Sequence, residues 1–411
     1  MTTPDTFVLL GAGLAGAKTA EALREQGFDG RVILLGAERH RPYERPPLSK
    51  DYLAGKTARE DVFAHPADWY AEHQVELRPG VQANGIDRAA HRIAIAGGGA
   101  VTYDRLLLAT GASPRELPVA GGYAVGVHYL RTLDDADSLV DSFQHASRLV
   151  VIGAGWIGME VAATARGAGL QVTVVEESRL PLLRVLGPEA AEVFADLHRQ
   201  HEVDLRLGAS LAEITTRDGR ATGVRLQDGT VIPAELVLVA VGATPNTHLA
   251  QTSGLSIDNG ILTDSGLRTS DPNVFAAGDV ANAFHPVFGK HIRVEHWANA
   301  LKQPASAAAS MLGRELPYSE LPYFYTDQYD LGMEYVGYVE PGGYDRVVSA
   351  ATSPAGSSSR SGSPTTTFWP GWPSTSGMSS TRSRHSSTPA RSSTRPAWAT
   401  PSKPSTTWPG R

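Results

Sequence analysis

The sequence predicts an α/β fold with two Rossmann-like dinucleotide-binding domains, the second inserted in the first, followed by an α+β C-terminal domain that is incomplete as written. Three observations predict it. Residues 6–38 ("TFVLLGAGLAGAKTAEALREQGFDGRVILLGAE") and 148–177 ("RLVVIGAGWIGMEVAATARGAGLQVTVVEE") repeat one pattern: an apolar run, a glycine-rich turn, an alanine-rich helical stretch, and a second apolar run ending in Glu. That is β-turn-α-β written twice, with the continuous apolar runs of buried parallel strands. Strand-like runs with glycine turns also stand at 103–118, 234–247 and 266–284, so the first unit closes only after the second has been read. From 320 the pattern becomes aromatic and alternating, with a Gly-Gly turn at 342–343, as in short antiparallel strands.

These elements divide the 411 residues as follows. The first nucleotide domain takes 1–115 and 248–319. The second takes 116–247. A third domain opens at 320–348, and 349–411 is an anomalous tail. A chain this long exceeds one hydrophobic core, as the division requires.

Composition excludes several functions. There is no cysteine, hence no disulfide, thiolate metal site or dithiol redox pair. The 13 histidines show no ligand spacing, so no metal is expected. His65 before Pro66 reads as a loop residue, and "LSK" at 48–50 completes no nucleophile motif. Net charge is −6, but the tail holds seven basic residues and no acid; without those seven, 30 Lys and Arg face 43 Asp and Glu, a net of −13. A body so acidic argues against nucleic-acid binding. "TFVLLGAGLAGA" is too short and glycine-rich for a membrane span or signal segment. A cytoplasmic protein is expected.

The first turn, "GAGLAG", sets Gly11, Gly13, Ala15 and Gly16 between strand and helix. The first glycine permits the turn, the second lets a pyrophosphate approach, and the third lets helix pack on strand. The phosphate then faces free N–H groups at the helix N-terminus. Glu38 ends the next strand, where a carboxylate hydrogen-bonds a ribose diol. "GAGWIG" repeats this with Gly153, Gly155, Trp156, Ile157 and Gly158, followed by Glu176 and Glu177. Two such sites suggest one flavin and one nicotinamide; neither fingerprint says which is which. Carboxylates at the second ribose position repel the extra phosphate of NADPH and favour NADH, unless they only solvate a strand end.

"RPYERPPLSK" (41–50), "LLLATGASPRELP" (106–118), "SDPNVFAAGDVA" (270–281), "VEHWANALKQPASAA" (294–308) and "YTDQYDLGM" (325–333) follow in order around the two fingerprints. Over roughly residues 6–348 the chain resembles the FAD-dependent NADH:ferredoxin reductases of bacterial oxygenase systems, which have the glutathione-reductase fold. The resemblance implies that Arg45, Pro46 and Lys50 line the flavin, that Thr110, Gly111, Asp279 and Val280 contact FAD, and that Gly242 belongs to the nucleotide sites. Trp297 would lie by the isoalloxazine; on spacing alone it is a core residue. Asp279 on spacing alone caps a helix. The family also implies that Lys50 pairs with Glu160 beside the flavin atom that takes hydride; the bland alternative is two surface charges. Lys50, Glu160 and Trp297 are therefore the candidate catalytic residues.

The implied reaction passes hydride from NADH to FAD, then single electrons to a small acidic 2Fe–2S ferredoxin and so to an oxygenase. Rubredoxin is the alternative acceptor. A redox-sensing NADH/FAD protein without ferredoxin turnover is the alternative of another class. Without cysteine the chain is neither a disulfide reductase nor a peroxidase of this fold. Docking an acidic partner calls for a local basic patch, for which Lys290, Arg293 and Lys302 are candidates. The oligomeric state is open between a monomer and a weak dimer.

The resemblance stops at Ser349. Residues 349–411 contain no Val, Leu, Ile, Asp or Glu, yet they hold four tryptophans, Trp369, Trp372, Trp398 and Trp408. By composition the tail is disordered. The genetic code offers a second reading. Shifting the frame by one base turns most Ser codons into Val, Leu, Ile or Phe, Thr into Asp, Asn, His or Tyr, and Trp into Leu, Val or Met. With GC-rich codons the stretch "TTTFWPGWPSTSGM" (365–378) rereads as a run like "GMAVNVWD", which resembles the family's third domain. A one-base slip near codon 349 is the reading this supports.

Overall fold

The computed structural model describes residues 5–340, 343–352, 365–370 and 377–383. Two five-stranded sheets organise it. The first contains Val274–Ala276, Arg105–Leu108, Thr6–Leu10, Arg31–Gly36 and Val75–Pro79, in that spatial order. All its neighbours are parallel. The second contains Asp204–Leu207, Gln171–Glu176, Arg148–Ile152, Leu236–Val239 and Val127–Tyr129, again all parallel. The first sheet thus draws strands from both sides of the second in sequence, as an inserted domain requires.

The sequence pattern explains the burial. Val32, Ile33, Leu34 and Leu35 are successive and all fully buried. Side chains alternate across a strand, so both faces of the sheet are covered. One face packs Leu9, Leu34 and Leu107 with Leu23 and Ala20 of the helix Leu14–Glu25. The other packs Val8, Ile33 and Leu106 with Ile93 and Ile261. Each such aliphatic contributes about 1.5–3 kcal/mol on burial. Where the chain leaves the first domain and returns, Ala112–Pro114 pairs antiparallel with Ala243–Pro245. This two-stranded ribbon ties the crossovers together.

Tyr323–Gln328 and Leu331–Val336 form an antiparallel hairpin. Alternate residues Phe324, Thr326 and Gln328 are buried. Phe324, Met333 and Tyr335 join the core of the second domain. Of the Gly-Gly turn expected at 342–343, Gly342 lies outside the described residues.

His65 lies in a loop, as its sequence suggests, and its ring is buried and stacks on Trp69 at 3.9 Å. Trp69, the first residue of the short helix Trp69–Glu72, supplies that plane. Within the described part of the tail, backbone is paired in strands. Val347–Thr352 pairs with Thr365–Pro370, and Gly377–Ser383 adds to Leu331–Val336. Thr, Phe and Trp favour extended backbone, and ladder bonds are made by the main chain whatever the side chains. The other residues of the tail lie outside the described residues.

Candidate functional site

The two glycine turns have the same geometry. Gly11 and Gly153 have φ of +120° and +98°. A Cβ on Gly11 would lie 2.1 Å from the Ala109 carbonyl oxygen, and one on Gly153 would lie 2.5 Å from that of Ala240. A Cβ on Gly16 or Gly158 would lie 2.1 Å from the carbonyl oxygen of Gly11 or Gly153. The first and third glycines are therefore required by the protein's own packing. The second glycines are not. Gly13 and Gly155 have ordinary extended backbone and cap their helices, and a Cβ on either would meet nothing within 4 Å. Open space over a helix N-terminus, kept free of side chains, fits a pyrophosphate.

Around the first turn, Glu38 accepts hydrogen bonds from Tyr43 Oη at 2.5 Å and Arg45 Nη2 at 2.9 Å. Arg45 also donates to the carbonyl of Arg131. Arg131 pairs with Asp279, with Nη2 2.6 Å from Oδ2. Thr110 Oγ1 donates to the Asn246 carbonyl at 2.8 Å, beside Gly111, whose φ is +67°. Ala15 packs where Gly278 leaves room: a Cβ there would come within 2.9 Å of the Ala15 methyl. Val280 is fully buried among Leu10, Leu35 and Ala276. Its side chain is a core residue, so any cofactor contact at that position falls to its main chain. Pro46 opens the short 3₁₀ turn Pro46–Ser49, which delivers Lys50.

Around the second turn, Glu176 accepts from the backbone N–H of Ala154 at 2.7 Å and of Ser178 at 2.8 Å. It braces the turn, and Glu177 is the exposed carboxylate of the two. Ile157 is exposed, while Trp156 packs against Phe324 with ring centres 4.7 Å apart. Gly242 has φ +105° and open space around it, and its carbonyl accepts from the Arg115 N–H.

Lys50 and Glu160 meet across the two domains. Lys50 follows the 3₁₀ turn of the first domain, and Glu160 lies on the helix Trp156–Gly167 that starts at the second turn. Lys50 Nζ is 3.0 Å from Glu160 Oε1, with side-chain exposures of 13% and 6%. Ser49 Oγ donates to Glu160 Oε2 at 2.5 Å, and Thr326 Oγ1 donates to Oε1 at 2.7 Å. The Tyr325 ring centre is 5.3 Å from Lys50 Nζ. A buried carboxylate held by a cation and two hydroxyls meets the cost of its desolvation.

Trp297 begins the helix Trp297–Met311, and its ring stands edge-on to Tyr325. Its indole Nε1 is buried without a hydrogen-bond acceptor of good geometry, as is Nε of Arg131. Unsatisfied buried donors are costly, and a bound ligand with acceptor atoms would relieve both. Burial raises the pKa of the Glu44 carboxyl, with Lys18 and the Trp297 indole pulling the other way. His296 stacks on Phe324 at 4.5 Å, and burial lowers its pKa to about 4 against the pull of Asp279.

Sequence reasoning missed Ser49, Thr326, Arg131 and Tyr43. The three cations considered for a docking patch are not free. Lys290 pairs with Glu340, Arg293 with Glu295 and Lys302 with Glu320. Among the described residues no cluster of three or more His, Asp or Glu side chains could hold a metal ion. No helix among them is long and apolar enough to cross a membrane.

Residues 5–304 match the family of pyridine nucleotide-disulphide oxidoreductases. Rhodocoxin reductase of Rhodococcus erythropolis is 43% identical over 334 residues, 81% of this chain and 78% of the relative. Putidaredoxin reductase CamA of Pseudomonas putida is 40% identical over 354 residues, 85% and 83% of the two chains. Among solved structures, the ferredoxin reductase for the CYP199A2 system of Rhodopseudomonas palustris superposes with a TM-score of 0.85 at 36% identity, covering 92% of this chain and 91% of that one. The reductase of the covalent putidaredoxin reductase–putidaredoxin complex gives 0.83 at 37% identity, covering 89% and 87%. With its paired nucleotide turns and no cysteine to support disulfide chemistry, the chain belongs to the pyridine nucleotide-disulphide oxidoreductase family, on its ferredoxin-reductase branch.

Proposed function

We propose that this protein is an FAD-containing, NADH-dependent reductase that delivers single electrons to a 2Fe–2S ferredoxin serving an oxygenase. The observation that carries the reading is the buried Lys50–Glu160 pair, its glutamate on the helix that opens at the second of two open glycine turns. The named relatives support the acceptor: they are reductases of rhodocoxin, putidaredoxin and ferredoxins of dioxygenase systems. A rubredoxin–NAD(+) reductase of Pseudomonas putida, 36% identical over 84% of this chain, keeps rubredoxin as the second reading.

Bound flavin supplies the exchange of a two-electron donor for a one-electron acceptor. The protein supplies position and electrostatics. The Gly11–Gly16 turn, with Arg45, Pro46, Thr110, Gly111, Arg131 and Asp279, would hold FAD. The Gly153–Gly158 turn, with Gly242, Glu176 and Glu177, would hold NADH, Glu177 facing its adenosine ribose. Trp297, Trp156 and Phe324 would keep water from the space between. Lys50, held by Glu160, would orient the carboxamide of NADH and balance negative charge beside the flavin. No side chain need donate or accept a proton for hydride to move. The domain limits 1–115 with 248–319, 116–247 and 320–348 follow from the same reading, as does a cytoplasmic location beside the electron source.

A one-base slip near codon 349 would replace the sequence of the third domain's later strands. Such a chain would fold poorly or serve ferredoxin weakly, even where it binds FAD. Rapid-mixing absorbance with NADH and a 2Fe–2S ferredoxin tests the reading. Fast flavin reduction without onward transfer to any ferredoxin or rubredoxin, by a chain whose third domain is restored, would favour the sensing role.

A further inference from the structure

A buried hydrogen-bond chain leads away from the ion pair. Thr326 Oγ1 donates to Glu160 Oε1 at 2.7 Å, and Gln328 Nε2 donates to Thr326 Oγ1 at 3.2 Å. Gln328 Oε1 is 2.8 Å from His198 Nε2. His198 Nδ1 is 3.4 Å from Tyr329 Oη. His198 is fully enclosed, and Thr326 and Gln328 are each 1% exposed.

The chemistry of each group fixes the direction. Thr326 faces an anion, so its one proton goes to Glu160 and its lone pair takes the Gln328 N–H. The amide oxygen of Gln328 then faces His198, so Nε2 carries the imidazole proton. His198 is neutral, and its Nδ1 accepts from Tyr329. Every donor therefore points toward the carboxylate, an arrangement in which each bond polarises the next. The chain also joins all parts of the fold: Lys50 comes from the first domain, Glu160 and His198 from two helices of the second, and Thr326 and Gln328 from one face of the hairpin strand. Among the described residues Glu160 Oε2 is held by Ser49 alone, whereas Oε1 is shared by Lys50 and Thr326. Removing the Thr326 hydroxyl frees the carboxylate to turn about its remaining bonds and takes Lys50 with it.

We propose that Thr326 is a positioning residue for hydride transfer, its hydroxyl aimed by Gln328 and His198 so that Glu160 holds Lys50 in place. The proposal rests on the reading that Lys50 and Glu160 stand beside the flavin. The test compares Thr326→Val, Thr326→Ser, Gln328→Met and Glu160→Gln in the FAD-loaded protein, following flavin absorbance after mixing with saturating NADH. Thr326→Val is expected to slow flavin reduction about tenfold, with little change in NADH half-saturation, and Thr326→Ser to restore it. Gln328→Met is expected to slow it less, and it carries the test should Thr326→Val fail to retain FAD. If Glu160→Gln slows reduction while Thr326→Val and Gln328→Met do not, the positioning role is overturned and the site reading stands. If Glu160→Gln has no effect, both fall. Equal slowing by Val and Ser would assign the effect to packing and overturn the proposal. Nitrogen NMR of labelled histidine in the FAD-free protein gives an independent readout. A neutral His198 ring protonated at Nε2 is expected, and an Nδ1-protonated or charged ring at neutral pH contradicts the chain.

Discussion

Glu160 Oε1 lies 3.0 Å from Lys50 Nζ, across 110 residues of sequence. Breaking a buried pair leaves an uncompensated charge, which typically costs about 3–5 kcal/mol. Ser49 and Thr326 still hold the carboxylate after Lys50→Met, so a loss near 3 kcal/mol is expected there. Denaturant unfolding of the FAD-free protein measures it. A loss within error of zero would mean that the pair is solvated and has no structural hold.

The glycine turns make separable predictions. Gly13→Val and Gly155→Val fill space that the protein does not use. Each variant trades the capping glycine for a poor cap, so its stability is expected to fall by about 1 kcal/mol at most. Gly13→Val should lose FAD. Gly155→Val should stay yellow while its half-saturation for NADH rises at least about tenfold. Gly11→Ala, in contrast, drives a methyl to 2.1 Å from the Ala109 carbonyl oxygen and should lower stability itself. Thermal melts and bound-flavin content separate the three outcomes.

Coenzyme choice is expected to turn on Glu177 more than Glu176. Glu176 is engaged by two backbone N–H groups, and its loss should loosen the turn for either coenzyme. Glu177→Arg is expected to raise kcat/KM for NADPH relative to NADH about tenfold or more, an effect of about 1.4 kcal/mol. Steady-state rates with both coenzymes check it; an unchanged ratio would place the ribose elsewhere.

Burial lowers the pKa of His198 to about 4, with the Gln328 bond opposing it and His201 adding to it. Burial likewise lowers His65 to about 4, and Lys18 adds to the effect against the pull of Glu21. Both rings are neutral in the folded protein and titrate at their ordinary value when unfolded. The unfolded state thus binds more protons between about pH 6.5 and 4, and stability falls as pH drops through that window. His198→Asn should flatten the fall by up to about 1.4 kcal/mol per pH unit. Urea unfolding at several pH values measures the slope; an unchanged slope would mean that His198 is already charged or exposed in the fold.

The legible parts of this protein are those with local signatures. Gly11, Gly16, Gly153 and Gly158 are fixed by contacts within a few residues or with the adjacent strand, so the turns leave a mark in the sequence. The strands read as apolar runs because both faces of each sheet are covered. Lys50 and Glu160 were reached only through family resemblance, and Ser49 and Thr326 not at all. Their contacts with Glu160 span 111 and 166 residues, and no periodicity encodes such a meeting. "LSK" was set aside because it lacks a nucleophile motif, whereas Ser49 serves as a donor to a carboxylate. The patch of Lys290, Arg293 and Lys302 failed for the opposite reason. The cations were visible, but the acids that pair with Lys290 and Lys302 lie 50 and 18 residues away.

The most direct test is anaerobic addition of NADH to the purified FAD-containing protein, followed by a 2Fe–2S ferredoxin, in a stopped-flow spectrometer. The visible flavin absorbance should bleach in one fast phase with NADH and much more slowly with NADPH. In a chain with its third domain restored, it should recover as the ferredoxin is reduced. A protein that binds FAD but is not bleached by NADH would contradict the account at its centre.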